Sequence, residues 1–166
     1  MRENLFKAKR IDNGKWVEGY LFDNGFGGEE KKYFIGGLII EKYNGTACDE
    51  WDITGIDFCE IDPETLCRFT GCCDKSGNKI WKNDILMCHG NSEDLVKVAF
   101  GEFGVRNIET GSIVDRAIGW HYEVIPTDAI SKCEPFCWSM PLTEDYIDRC
   151  EMEVFDNPEL LQEVPE

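Results

Sequence analysis

Only two histidines, His89 and His121, occur in the 166 residues. That leaves little for the imidazole activation on which serine and cysteine nucleophiles normally depend. Cationic side chains are also scarce, 17 Lys and Arg against 33 Asp and Glu, for a formal charge of −16. A field of that sign repels phosphate backbones and disfavours sequence-independent duplex binding, so nucleic acid is not an expected partner. No apolar run approaches the roughly 18 to 20 residues of a membrane-spanning helix, and Met1–Lys7 lacks a signal-peptide apolar region. The expectation is a cytoplasmic protein without membrane contact.

What the chain does contain is 42% apolar residues, enough for one domain or two small subdomains with a shared core. Its nine cysteines, at 48, 59, 67, 72, 73, 88, 133, 137 and 150, follow no framework spacing. In a reducing compartment they are most simply thiols packed as small hydrophobes. The charge is uneven, because residues 141–166 hold nine acids and only Arg149. The single basic cluster, Lys7, Lys9, Arg10 and nearby Lys15, reads as a solvated face, with a local nucleic-acid platform as its functional alternative.

Alternation of apolar and polar residues dominates the patterned segments, with Gly, Asn and Asp between them, which is the signature of strands. Asp12-Asn13-Gly14 predicts a hairpin with Ile11 and Trp16 on its paired strands. Tyr33–Ile35 and Gly37–Ile40 predict a strand or strand pair. Asp62–Thr65 breaks the pattern and divides an N-terminal β part, 1–65, from a barrel-like part, 66–166. In the second part, 95–100 and 103–108 predict a hairpin turning at Gly101-Glu102, and Trp120–Ile125 a further strand. Residues 142–154 fit a helix face or a strand face, and a strand at 149–155 is preferred. Asn157 as N-cap and Pro158 at the first helical position predict a short C-terminal helix.

Candidate chemistry is thin. Cys88 and His89 are strand neighbours whose side chains point to opposite faces, which argues against a dyad. His121, between Trp120 and Tyr122, reads as a structural histidine. Cys133 and Cys137 have a plausible zinc-ligand spacing without a second matching pair. The glycine-rich stretches at 25–28 and 101–104 open no helix and lack the Gly-Lys-Ser/Thr ending of a phosphate loop, so both read as β turns. No catalytic residue, metal or cofactor is expected.

The most informative stretch runs from Arg68 to Cys88. Phe69 and Trp81 serve as apolar anchors, Thr70 and Gly71 precede a polar turn containing Asp74 and Gly77, and Asn83-Asp84 introduces the next strand. Asn83 stands where positive φ is wanted, a position glycine takes most cheaply and asparagine next. Asp84 can then hydrogen-bond back to the turn.

These blocks resemble the YopX family of phage and prophage proteins, in which Tyr-Thr-Gly, Asp-Lys-Asn-Gly-Lys and Gly-Asp-Ile-Val recur in this order. The counterparts are Phe69–Gly71, Asp74–Lys79 and Asn83–Leu86. Leu5–Tyr20, Ile61–Thr65 and Phe155–Leu161 agree as well, whereas 87–148 matches poorly. The departures are Asn83 for the usual Gly, and Met152-Glu153 where Gly-Asn often stands. The resemblance implies a mostly β fold with small SH3-like, barrel-like subdomains of antiparallel strands and little helix. It also implies a phage or prophage origin in a bacterial host and self-association, and no catalytic residues. The expected function is a non-catalytic, self-associating interaction module with a host or phage protein as partner. Alternatives are a nucleic-acid-binding β-barrel and an acidic decoy acting through the C-terminal end.

Overall fold

A computed structural model describes residues 4–42, 51–107, 109–125 and 139–155. Two compact units divide it, Met1–Phe69 and Thr70–Glu166. The mostly-β expectation holds.

In the first unit, β1 (Phe6–Lys9) and β2 (Trp16–Asp23) form the predicted hairpin. Gly14 supplies the positive φ, +68°, and the Asn13 side chain accepts from the Lys15 amide. Trp16 pairs with Lys9, however, and Ile11 lies in the turn with its side chain exposed. The turn is wider than expected because the Arg10 amide closes it onto the Lys15 carbonyl. β3 (Tyr33–Lys42) is one continuous strand pairing with β2 and with β4 (Trp51–Glu60). β1 pairs on its other side with the start of β5 (Cys67–Cys73), giving the order β4-β3-β2-β1-β5. One face buries Ala8, Ile35 and Ile61, with Val17, Leu21 and Leu66 packed against them. Asp62–Thr65 is a tight turn held by the Asp62 carboxylate, which accepts from the Glu64 amide.

In the second unit, the end of β5 and β6 (Lys79–Trp81) flank the Asp74–Asn78 turn. β7 (Ile85–Cys88), β8 (Asn91–Arg106), β9 (Ile113–Val124), β10 (Met140–Pro141) and β11 (Glu153–Val154) form an antiparallel sheet ordered β10-β9-β8-β7-β11. Its core contains Ile80, Leu86, Val98, Ile147 and Met152, all essentially inaccessible. Among the described residues each sheet runs open, from β4 at one edge or between β10 and β11, so neither closes into a barrel.

Two local expectations are overturned. Gly101-Glu102 is not a turn: β8 passes straight through it, with Gly101 paired to Gly119 and Glu102 to Ile118. The reversal comes at 107–112 instead, where the Asn107 side chain accepts from the Glu109 and Thr110 amides and Gly111 adopts φ +69°. Over 149–155, only Glu153–Val154 is strand, because a helix, α1 (Glu144–Arg149), occupies the preceding stretch. Thr143 caps it by accepting from the Tyr146 amide, and acidic Glu144 and Asp145 sit in the first turn, where the helix dipole favours them.

Candidate interaction surface

The Arg68–Cys88 motif makes a connected set of hydrogen bonds. The Thr70 hydroxyl donates to the Ile80 carbonyl (2.8 Å) and accepts from the Cys72 amide (3.1 Å). Gly71 and Gly77 take φ +88° and +84°. Asp74 is buried, and its carboxylate accepts from the Ser76 and Asn78 amides, the Asn78 side chain and the Val154 amide (3.2 Å). Burial works to raise its pKa, but the hydrogen bonds from Asn78, Val154 and Ser76 outweigh it and hold the carboxyl below the usual range. Asn83 sits at φ +69°, its amide donating to Val98, while the Asp84 carboxylate accepts from the Trp81 amide at 2.7 Å. Phe69 and Trp81 are buried. All these contacts organise backbone. Asn157 and Pro158, Cys133 and Cys137, and the acidic stretch 156–166 lie outside the described residues.

Cys88, Cys150 and His121 are engaged in packing. Burial, with Asp94 and Cys150 nearby, pushes the Cys88 thiol up to about 12, and burial and Asp94 raise Cys150 as well. His121 stacks on Phe103 at 4.9 Å, its Nδ1 3.2 Å from the Gly119 carbonyl oxygen and its Nε2 3.5 Å from Glu123. Among the described residues, no group of three or more His, Cys, Asp or Glu is placed to hold a metal, and no helix is long and apolar enough to cross a membrane.

The unusual feature of the first unit is the outer face of its sheet. Period-2 alternation turns Val17, Gly19 and Leu21 of β2 inward and leaves Trp16, Tyr20 and Phe22 half-exposed. Cross-strand pairing extends that face: Tyr20 lies opposite Gly36, Gly36 opposite Phe58, and Leu38 opposite Ile56. Phe22 and Phe58 meet edge to face at 4.9 Å. An open groove of about 880 Å³ follows these strands, and among the described residues lining it Glu18 and Asp57 are the only acidic ones. At one margin the Lys7 and Lys9 ammonium groups lie 5.3 and 5.5 Å from the Trp16 ring centre. Arg10 does not join them, since it is bound to Asp12 (2.6 Å). The sequence pattern marks this strand set but cannot tell which face of it is covered.

The second unit also leaves apolar groups outside. Beyond the Phe100–Trp120 pair, β8 and β9 pair only with each other among the described residues, forming a two-stranded ribbon. Phe100, Val105, Ile113, Val114 and Ile118 are exposed along it.

Fold and surfaces together define a class: a mostly-β chain of two antiparallel sheets with an apolar face exposed among the described residues. The sequence model of the family described as YopX protein matches residues 6–134. The chain belongs to the YopX family. Comparison with curated proteins finds no match.

Proposed function

We propose that this chain is a non-catalytic interaction module, phage- or prophage-derived, that associates with itself and presents a β surface to a host or phage protein. The observation that carries the reading is the apolar outer face of the first unit. Tyr20, Phe22, Leu38, Ile56 and Phe58 are 44 to 60% exposed. With side chains of about 200 Å² each, roughly 500 Å² of apolar surface stays wet. Trp16 and Ile40, about half exposed, bring the total to roughly 700 Å², close to the ~800 Å² that each partner gives to a standard interface. A lone monomer rarely leaves so large a patch open. The buried, protonated Cys88 agrees with a role other than thiolate chemistry.

Sedimentation across a dilution series tests the reading. Association should strengthen as salt is raised, because screening weakens repulsion between copies of charge −16 while apolar contact persists. A monomeric mass at every concentration and salt level would exclude it.

The Lys7–Trp16–Lys9 cluster favours a second reading, a stacking platform for single-stranded nucleic acid. Quenching of tryptophan fluorescence by an oligonucleotide at low salt, abolished in Trp16→Ala, is its expected signature. No response at low salt ends it.

A further inference from the structure

We propose that the outer face of β2, β3 and β4 is covered by the same face of a second copy, the two sheets stacking across a two-fold axis into a closed dimer. This deepens the self-association reading, on which it rests, by naming the partner surface and fixing the stoichiometry at two.

The face is built as an ordered apolar layer. Register sets Tyr20, Gly36 and Phe58 abreast on three strands, with Leu38 and Ile56 paired two residues along. Phe58 lies over Gly36 and meets Phe22 edge to face at 4.9 Å, so these rings are placed before any contact forms and have little rotamer freedom left to lose. Two such faces together withdraw roughly 1,400 Å² from water, inside the ~1,200 to 2,000 Å² of a stable complex. A second copy supplies that area in full.

Shape and charge both suit an identical partner. Apolar sheet faces pack aligned, with strand directions within about 30° and backbones about 10 Å apart, the angle being set by sheet twist. Two copies of one sheet have the same twist by construction. Glu18 is already engaged and stands opposite Lys7 across β1 and β2, and Glu60 lies 3.0 Å from Lys32. Asp57 pairs with Gly37, and alternation turns its side chain to the opposite face from Ile56 and Phe58. Among the described residues of the layer, no bare carboxylate is then stacked against its own copy, despite −16 on each chain. A patch that meets itself across a two-fold axis is isologous, and assembly stops at two copies.

Acidic and basic versions of the face test it. Leu38→Glu with Ile56→Glu gives one and Leu38→Lys with Ile56→Lys the other, at two positions that are both more than half exposed. Native mass spectrometry, with the acidic variant labelled with nitrogen-15, should find the parent at twice the 19.0 kDa chain mass, each variant alone as a monomer, and one-to-one heterodimers on mixing, because an acidic face then meets a basic one. If either variant melts early, Ile56→Ser replaces the pair and should weaken the parental dimer by about tenfold or more. Assembly of the parent beyond dimers, dimers formed by the basic variant alone, a mixture that stays monomeric, or an undiminished Ile56→Ser dimer overturns the face-to-face contact while leaving self-association standing. A monomeric parent overturns both.

Discussion

The Phe58 ring occupies the space that a side chain on Gly36 would need. The two residues pair directly across β3 and β4, and a Cβ built on Gly36 would also collide with the Asp57 backbone carbonyl. Gly36→Ala must therefore push two strands apart. Its expected cost is about 1 to 3 kcal/mol, read as a lower denaturant midpoint. Neighbouring Gly37 has nothing within 4 Å of the corresponding position, and Gly37→Ala should stay within about 0.5 kcal/mol of the parent. Equal effects at both positions would contradict the close approach.

Asp74 should give unit 2 part of its acid sensitivity. Its carboxyl is held below the usual range in the folded protein, so its contribution is present above the unfolded value of about 3.9 and is lost as pH falls through the folded pKa. Asp74→Ala leaves the buried amides it serves unpaired, at about 1 to 3 kcal/mol. The gap between parent and variant in denaturant melts should narrow as pH drops from 7 toward 2. A constant gap would show that ionisation is not what matters.

Trp81 is buried to 3% exposure, and Trp81→Ala should cost on the order of 3 to 5 kcal/mol. A calorimetric melt unchanged from the parent would remove Trp81 from its anchoring role.

The cysteines should separate by reactivity. Cys73 is exposed whereas Cys88 is buried with its thiol pushed up to about 12. Iodoacetamide at pH 8 should label Cys73 well before Cys88, with labelling of Cys88 appearing on unfolding, as peptide mapping would register. Prompt native labelling of Cys88 would contradict its burial.

Turns proved readable where their chemistry is local. Asn83 at positive φ, the Asp84 carboxylate on the Trp81 amide, and the Asp74 turn each depend on residues two to four positions apart, so the order of side chains carries the geometry. Glycines in long strands were not readable this way. Gly104 looks like part of a turn, yet its missing Cβ is what lets Ile113 lie across the ribbon, 3.0 Å from where that atom would be. Helix α1 is hard to read from sequence because six residues give too little periodicity to outweigh the alternation at 150–154, and the Thr143 cap is its one local signal. The outer face of β2 escaped for another reason. Alternation separates Trp16, Tyr20 and Phe22 from Val17, Gly19 and Leu21, but the larger set would be expected inside, and here the smaller set fills the core.

The bond from the Val154 amide to Asp74 spans 80 positions of chain. On a ribosome adding roughly 5 to 20 residues per second, about 4 to 16 seconds separate the making of its two ends. During that interval the Asp74 carboxylate must wait with one acceptor site unfilled, and the β7 edge stands bare until β11 emerges to cover it. The last strand described is thus a closing latch, and nascent chains stalled before it would be the ones most prone to find a neighbour's strand instead.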